Sequence, residues 1–379
     1  MKAGWQETSV GEILQLEYGK PLDASDRIPD GRYPVYGANG EIGRTDKFYY
    51  GKPSVIVGRK GSAGEINLSE EKFWPLDVTY FVTFDEQRYD LRFVFYLLAT
   101  LDLPKLAKGV KPGINRNEVY AQVTKVPPLP EQHRIVAILD EAFDGIATAK
   151  ANTEKNLQNA RALFESHLQS VFTERGEGWM DTTLGEEIDL LVGFAFKSAQ
   201  YSDGKEDIRL LRGDNIVQGS LRWDDVKKWP KSDTAAYVRY WLREGDVVLA
   251  MDRPWVKAGL KHATIAADDL PCLLVQRTAC LRCKPSLDSR FLMYLVRSTE
   301  FIQHILGVQT GIGVPHISGQ QIKDFAYASP PIADQERIAA RLDALSGEIQ
   351  NLESLCQQKL TALDDLKKSL LHQAFAGAL

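Results

Sequence analysis

Seven loops of this chain mix cations, amides and glycine in a way that suits an anionic polymer. Three lie in the first third: Tyr36-Gly-Ala-Asn-Gly40, Arg59-Lys-Gly-Ser-Ala-Gly64 and Lys108-Gly-Val-Lys-Pro-Gly-Ile-Asn-Arg-Asn117. Four lie further on: Arg212-Gly-Asp-Asn215, Asp252-Arg-Pro-Trp255, Lys257-Ala-Gly-Leu-Lys261-His262 and Gln309-Thr-Gly-Ile-Gly-Val-Pro-His316. Glycine lets a backbone approach a phosphate closely, and Arg and Asn can make paired hydrogen bonds to guanine and adenine edges. The candidate ligand contacts are therefore Tyr36, Asn39, Arg59, Lys60, Ser62, Lys108, Lys111, Asn115 and Arg116 in the first set. In the second they are Arg212, Asn215, Arg253, Trp255, Lys257, Lys261, His262, Gln309, Thr310 and His316. An ordinary polar turn accounts for any one loop equally well. The weight comes from their recurrence in two separate stretches.

Catalytic chemistry is harder to find. Ser329-Pro330-Pro331-Ile332 resembles the S-P-P-aromatic motif of amino-group DNA methyltransferases, but isoleucine offers no aromatic face to an extruded base. No Gly-rich cofactor loop follows a strand, and Gly58–Gly64 lacks the spacing of a nucleotide-phosphate loop. Glu70-Glu71-Lys72 could end a nuclease metal site, yet it sits in a charged surface run. Cys280-Leu-Arg-Cys283 falls in a stretch, VQRTACLRC, that reads as a strand, where residues three apart face opposite ways; the other half of a zinc set is missing. The six histidines show no ligand spacing. The chain is expected to hold no metal and no cofactor of its own.

The elements that would position these loops are written twice. PPLPEQHRIVAILDEAF begins at Pro127, and PPIADQERIAARLDALS begins at Pro330. Gln132, Arg134, Ile135, Leu139 and Asp140 recur as Gln335, Arg337, Ile338, Leu342 and Asp343, and Phe172 recurs as Phe375. Fixed-period self-similarity marks a repeated structural unit. In each copy the apolar residues step by alternating threes and fours: Ile135, Leu139, Ala142, Ile146 onward, and Ile338, Leu342, Leu345, Ile349 onward. That is the seam of two paired helices. Proline before each copy suits a helix entry.

The remainder falls into two blocks that also start alike, with Trp5, Thr8, Gly11 and Glu12 over Trp179, Thr182, Gly185 and Glu186. The organisation is a block over residues 1–126, a long helix over 127–172, a block over 173–329 and a second long helix over 330–379. Residues 173–178, TERGEG, form a polar linker. Short β-branched and aromatic runs with glycine turns make each block strand-rich; IVQGSLRW is a hairpin candidate. Each block ends in a predicted helix, RFVFYLLATLDLPKLA in one and SRFLMYLVRSTEFIQHIL in the other, and Ile114 lies over Ile317 in the loop that follows.

Charge adds a constraint. The net charge is −5, and the blocks are close to neutral, with 17 basic and 17 acidic residues over 1–127 and 20 and 21 over 173–329. A nucleic-acid site must then be a local patch, or partners must supply much of the electrostatics. No apolar run approaches the roughly 20 residues of a membrane span, and MKAGWQETSVGE lacks a signal-peptide core. A cytoplasmic location is the expectation.

The twice-repeated proline-proline-x-x-(E/D)-Q-x-R-I, the tail SLLHQAFAGAL, the paired W-x-x-T-x-x-G-E starts, YPVYGANGEIG and VGRKGSAG together resemble the DNA-specificity subunits of type I restriction–modification systems. The resemblance covers the whole chain. It implies an α+β fold with two pseudo-symmetric mixed α/β target-recognition domains joined by two long antiparallel helices forming a coiled coil. It implies that each domain reads half of a bipartite duplex DNA sequence, and that the helices space the domains and dock two copies of a methyltransferase subunit. S-adenosylmethionine and adenine methylation would belong to that partner, and motor-nuclease subunits are a further expected partner. Ala333 departs from the repeat, where Pro130 stands in the first copy. Three alternatives remain open at this point: the specificity subunit of a type IIB-like system, an enzyme with a novel active site, and a coiled-coil adaptor that binds protein only.

Overall fold

A computed structural model describes residues 4–311 and 314–379, in two compact units. The first comprises residues 1–155 with 355–379, and the second residues 156–354. Each unit takes part of both long helices.

In the first unit the chain runs β1 (Gln6–Ser9), α1 (Val10–Ile13), β2 (Leu14–Tyr18), β3 (Tyr33–Gly37), β4 (Gly40–Thr45), β5 (Ser54–Gly58), β6 (Ile66–Ser69), β7 (Trp74–Pro75), β8 (Thr79–Phe84), α2 (Leu91–Thr100), α3 (Arg116–Tyr120) and β9 (Val123–Val126), then enters α4 (Leu129–Thr173). A four-stranded sheet has the order β2-β8-β5-β6 and a three-stranded sheet the order β4-β3-β7. Strand β5, SVIVG, is buried at every residue, as an unbroken apolar run demands at the centre of a sheet. Helix α2 starts at Asp90, whose side chain accepts from the Phe93 amide, and it buries Phe93, Val94, Leu97 and Leu98 completely. Antiparallel pairing of β1 with β9 brings both ends of the block to the start of α4.

The second unit repeats this plan: β10 (Met180–Thr183), α5 (Leu184–Glu187), β11 (Ile188–Val192), β12 (Ile208–Leu211), β13 (Lys227–Trp229), β14 (Val247–Ala250), β15 (Trp255–Val256), β16 (Gly259–Leu260), β17 (His262–Thr264), β18 (Cys272–Leu274), β19 (Thr278–Cys283), α6 (Ser289–Leu295), α7 (Thr299–Val308), α8 (Gly319–Lys323), β20 (Ala326–Ser329) and α9 (Ile332–Ala376). Its sheets, β11-β19-β14-β17 and β13-β12-β18, match those of the first unit strand for strand. The β15-β16 hairpin is an addition, as are a longer β12–β13 connection and a turn of 3-10 helix over Lys231–Tyr240.

The long helices begin two residues later than the prolines suggest, at Leu129 and Ile332. They pair antiparallel within each unit. In the first, Phe375 packs on Phe93 at 5.1 Å, Thr153 and Cys356 are buried, Lys150 pairs with Asp364, and Arg134 donates to the Leu379 carbonyl at 2.8 Å. In the second, Phe164, Leu168 and Leu342 form one cluster with Tyr294, and Arg161 pairs with Glu353 at 2.6 Å.

The repeated motifs turn out to be joints. Gln132, almost wholly buried, accepts from the Asp90 amide and donates to the Arg88 and Pro127 carbonyls, all at 2.9 Å. Gln335 does the same with the Asp288 amide and the Ser286 and Pro330 carbonyls, at 2.9, 3.0 and 2.9 Å. Asp140 then receives Arg92 and Tyr96, and Asp343 receives Arg290 and Tyr294. In the block starts, Thr8 and Thr182 donate to Glu12 and Glu186 at 2.5 and 2.8 Å, and each glutamate also accepts from the helix-capping amide before it. Gly11 and Gly185 are required by close approach: a Cβ at either would sit 2.9 Å from the Cβ of Tyr120 or Lys323.

Two local expectations are corrected and a third is met. The run SRFLMYLVRSTEFIQHIL is two helices, because the buried Ser298 caps α7 by accepting from the Phe301 amide. The run containing VQRT is two strands, broken where Arg277 adopts φ +64°. IVQGSLRW does form a minimal antiparallel hairpin: Val217 donates to the Ser220 carbonyl, Ile216 bridges Leu221, and Arg222 donates to the Asn215 carbonyl at 2.8 Å. Cys280 and Cys283 do lie on opposite faces of β19, packing into different clusters.

Candidate nucleic-acid interface

In the first unit the three expected loops converge at the ends of β3 and β5. The β5 loop and the long loop before α3 are tied by backbone bonds: Ile114 donates to the Arg59 carbonyl at 3.0 Å and Gly61 to the Pro112 carbonyl at 2.9 Å. Gly58 is the point of closest approach. A Cβ there would lie 2.1 Å from the Ser62 oxygen and 2.6 Å from the Ala38 oxygen, so the β3–β4 turn, carrying exposed Asn39, is pressed onto the same platform. Lys60 and Lys111 are exposed on it. Lys108, also exposed, pairs with Glu118 at 2.6 Å, and Asn115 caps α3 by accepting from the Asn117 amide. Ser62 is half-buried beside them.

The second unit builds the same frame with other residues. Ile317 donates to the Met251 carbonyl at 2.9 Å and Arg253 to the Pro315 carbonyl at 2.7 Å. Position by position these repeat the Ile114 and Gly61 bonds. Where the first unit has Gly61 at φ +82°, the second holds Arg253 at φ +46°. A left-handed arginine is a strained choice, and such strain concentrates at functional loops. Arg253 is exposed, as are Trp255 and Lys257 on the added hairpin. Lys261 lies half-buried near Asp214, Arg222 and Arg253, and burial lowers its pKa. Asp252 accepts from Arg277 and bonds to His316 Nδ1, both at 2.6 Å; burial works against its charge, but these two partners hold its pKa below the usual carboxylate range. Thr310 exchanges two backbone bonds with His316, closing the last loop, and Gln309 ends α7 half-buried. Ile312 and Gly313 of that loop lie outside the described residues.

Three expected contacts are withdrawn into the interior. Tyr36 is 9% exposed in an aromatic cluster with Phe73, because both faces of β3 are covered. Asn215 is a turn brace, accepting from the Arg212 amide and donating to the Arg222 carbonyl. Arg212 itself is half-buried and faces Asp225 at 3.3 Å. His262 is buried in β17, and burial drives its pKa down to about 4, so the ring is neutral. Conversely, Tyr18 was not anticipated. It is 47% exposed at the end of β2, with the guanidinium groups of Arg59 and Arg116 at 5.3 and 5.2 Å from its ring centre. The alternation Leu14-x-Leu16-x-Tyr18 points it away from the two buried leucines only if the strand twists or ends there, which no local signal reveals. Among the described residues no group of three or more His, Cys, Asp or Glu could hold a metal ion, and no helix is long and apolar enough to cross a membrane.

Comparison with known proteins places this geometry. A family model described as the type I restriction modification DNA specificity domain matches residues 2–159. The type I restriction enzyme EcoAI specificity subunit of Escherichia coli is 35% identical over 204 residues, 54% of this chain. That match spans only 33% of the E. coli protein's own length. The MjaVIII specificity subunit of Methanocaldococcus jannaschii is 25% identical across 99% of this chain and 93% of its own. Among solved structures, one described as the structural basis of complex assembly and conformational transition of the type I R-M system has a TM-score of 0.77, at 18% identity, covering 100% of this chain and 99% of the other. The HsdS subunit from Thermoanaerobacter tengcongensis has a TM-score of 0.64, at 18% identity, covering 100% and 98%. These two likenesses concern the fold.

Proposed function

We propose that this chain, which belongs to the family of DNA-specificity subunits of type I restriction–modification systems, is the non-catalytic subunit that reads the DNA target. One observation carries the reading: each unit ties two loops into one frame by the same pair of backbone bonds, and the side chains on the two frames differ. A duplicated platform with divergent side chains suits a target of two unlike halves, each read by one unit. Phosphate contacts from exposed cations such as Lys60, Lys111 and Lys257 would position the duplex, and arginine and amide groups would read base edges. The long helices would dock two methyltransferase subunits holding S-adenosylmethionine, with motor-nuclease subunits joining that assembly in the cytoplasm. In this reading the near-neutral blocks leave much of the phosphate neutralisation to those partners.

The test is methylation mapping of the host genome with and without the gene. A two-part motif with an unread gap should vanish on deletion. An unchanged methylation pattern would remove the proposal.

A further inference from the structure

We infer that Arg59 reads a guanine in the half-site faced by the first unit, with Tyr18 as its positioning residue. The inference rests on the DNA-reading function proposed above.

Arg59 is immobilised in an unusual way. Its Nε and Nη2 both donate to the Asp77 carbonyl, at 3.0 and 2.5 Å. Its guanidinium lies over the Tyr18 ring at 5.3 Å and nears Tyr80 at 6.0 Å. These contacts occupy the Nε side of the fork. The opposite edge, Nη1 and the outer Nη2 hydrogen, has no partner among the described residues. An arginine whose edge is free and whose plane is held offers two parallel donors at a fixed place. That matches the O6 and N7 acceptors of guanine in the major groove, the commonest specific arginine contact. Adenine presents an amino donor where guanine has O6, so the same edge rejects it.

The surroundings strengthen the case. Arg116 approaches the same Tyr18 ring at 5.2 Å. Neither arginine pairs with a carboxylate among the described residues, whereas Arg32, Arg44, Arg92 and Arg134 of the same unit each have one. Two unpaired cations on one half-exposed tyrosine repel each other, and an electron-rich ligand would relieve that. A salt bridge was available in kind, since the chain has 51 acidic residues, yet the anchor here is a neutral carbonyl. A neutral anchor fixes the fork without cancelling its charge. The position also fits the frame, because the Arg59 carbonyl is the one that receives the Ile114 amide and ties the loops together.

The experiment uses the complete complex purified with its partner subunits. Binding is measured on duplexes carrying the mapped motif and on every single-base variant of the first unit's half-site. Wild type, Arg59→Lys, Arg59→Ala and Tyr18→Leu are compared. The expectation is that one G·C pair loses its preference in Arg59→Lys, by roughly 5- to 150-fold, as one paired arginine–guanine contact predicts. Lysine keeps the charge and loses the fork, so charge alone cannot explain that loss. Tyr18→Leu should weaken the same preference in part and leave other positions unchanged. Retained preferences at the other positions of the first unit's half-site, measured in the same molecules, report that this unit is folded in each variant. Uniform weakening on all sequences, with the salt dependence reduced by about one phosphate contact, would make Arg59 a backbone contact and overturn the inference. Retention of every base preference in Arg59→Ala would overturn it as well. Absence of sequence preference in the wild-type complex would instead overturn the DNA-reading function itself.

Discussion

Replacing Gln335 with methionine should loosen the joint between the second block and its helix. The two side chains are close in volume, so packing changes little. What is lost is chemical. Gln335 is 0% exposed, and its amide serves the Asp288 amide and the Ser286 and Pro330 carbonyls. The Asp288 amide belongs to the residue that caps α6, so the stranded donor sits at a helix entry. A hydrogen bond contributes about 1 kcal/mol net, and a buried group left unpaired costs about 1–3 kcal/mol. Three bonds broken together, with partial relaxation, give an expected loss of about 2–4 kcal/mol. Two compact units make one global unfolding energy ill-defined. The suitable assay is therefore hydrogen exchange at 286–291 and 329–335, with the first unit as an internal reference. Exchange there should accelerate by roughly 30- to 900-fold where opening is local, since each 1.4 kcal/mol is tenfold. Protection within twofold of wild type would refute the argument that this amide holds the block to the helix. Gln132→Met should act equally on the first unit.

Other outcomes follow from named contacts. Gly58→Ala should destabilise the first unit by roughly 1–3 kcal/mol, and weaken binding at one half-site only, because the new Cβ would strike the Ser62 and Ala38 oxygens; unchanged melting would contradict it. Arg253→Gly should raise stability by up to about 1 kcal/mol by relieving the left-handed arginine, while DNA affinity and salt dependence both fall; a stability loss would count against strain. His262 is held neutral with a pKa near 4, below its ordinary 6.5, so the unfolded chain binds the extra proton. Its stabilising contribution is complete above about 6.5 and is lost as pH falls towards 4. Thermal melts from pH 7 to 5 should show the second unit of His262→Leu losing less than wild type; parallel profiles would exclude the histidine as the cause.

The architecture was legible because it is repeated. Gln132 and Gln335, or Glu12 and Glu186, stand out by recurrence, and the structure gives each pair one job twice over. The alignment of Ile114 with Ile317 likewise located the loop that closes each platform. What the sequence hides is tertiary cover. Tyr36 reads as a loop aromatic, yet β7 pairs beside it and Phe73 packs on its ring. His262 reads as part of a basic loop, but the β15-β16 hairpin ends two residues earlier and β17 carries it inward. Tyr18 gains its arginines from positions 41 and 98 residues further along the chain, a meeting that no local pattern announces.

The platform bonds have one more consequence. Ile114 to Arg59, Gly61 to Pro112, Ile317 to Met251 and Arg253 to Pro315 all run between main-chain atoms. The loops are therefore shaped by groups that every amino acid except proline carries in full. Mutation can rewrite the displayed side chains while the scaffold goes on folding, so recognition can drift quickly under selection without passing through unfolded intermediates. The two units of this chain, sharing a frame and little else at their tips, are what such divergence leaves behind after a duplication.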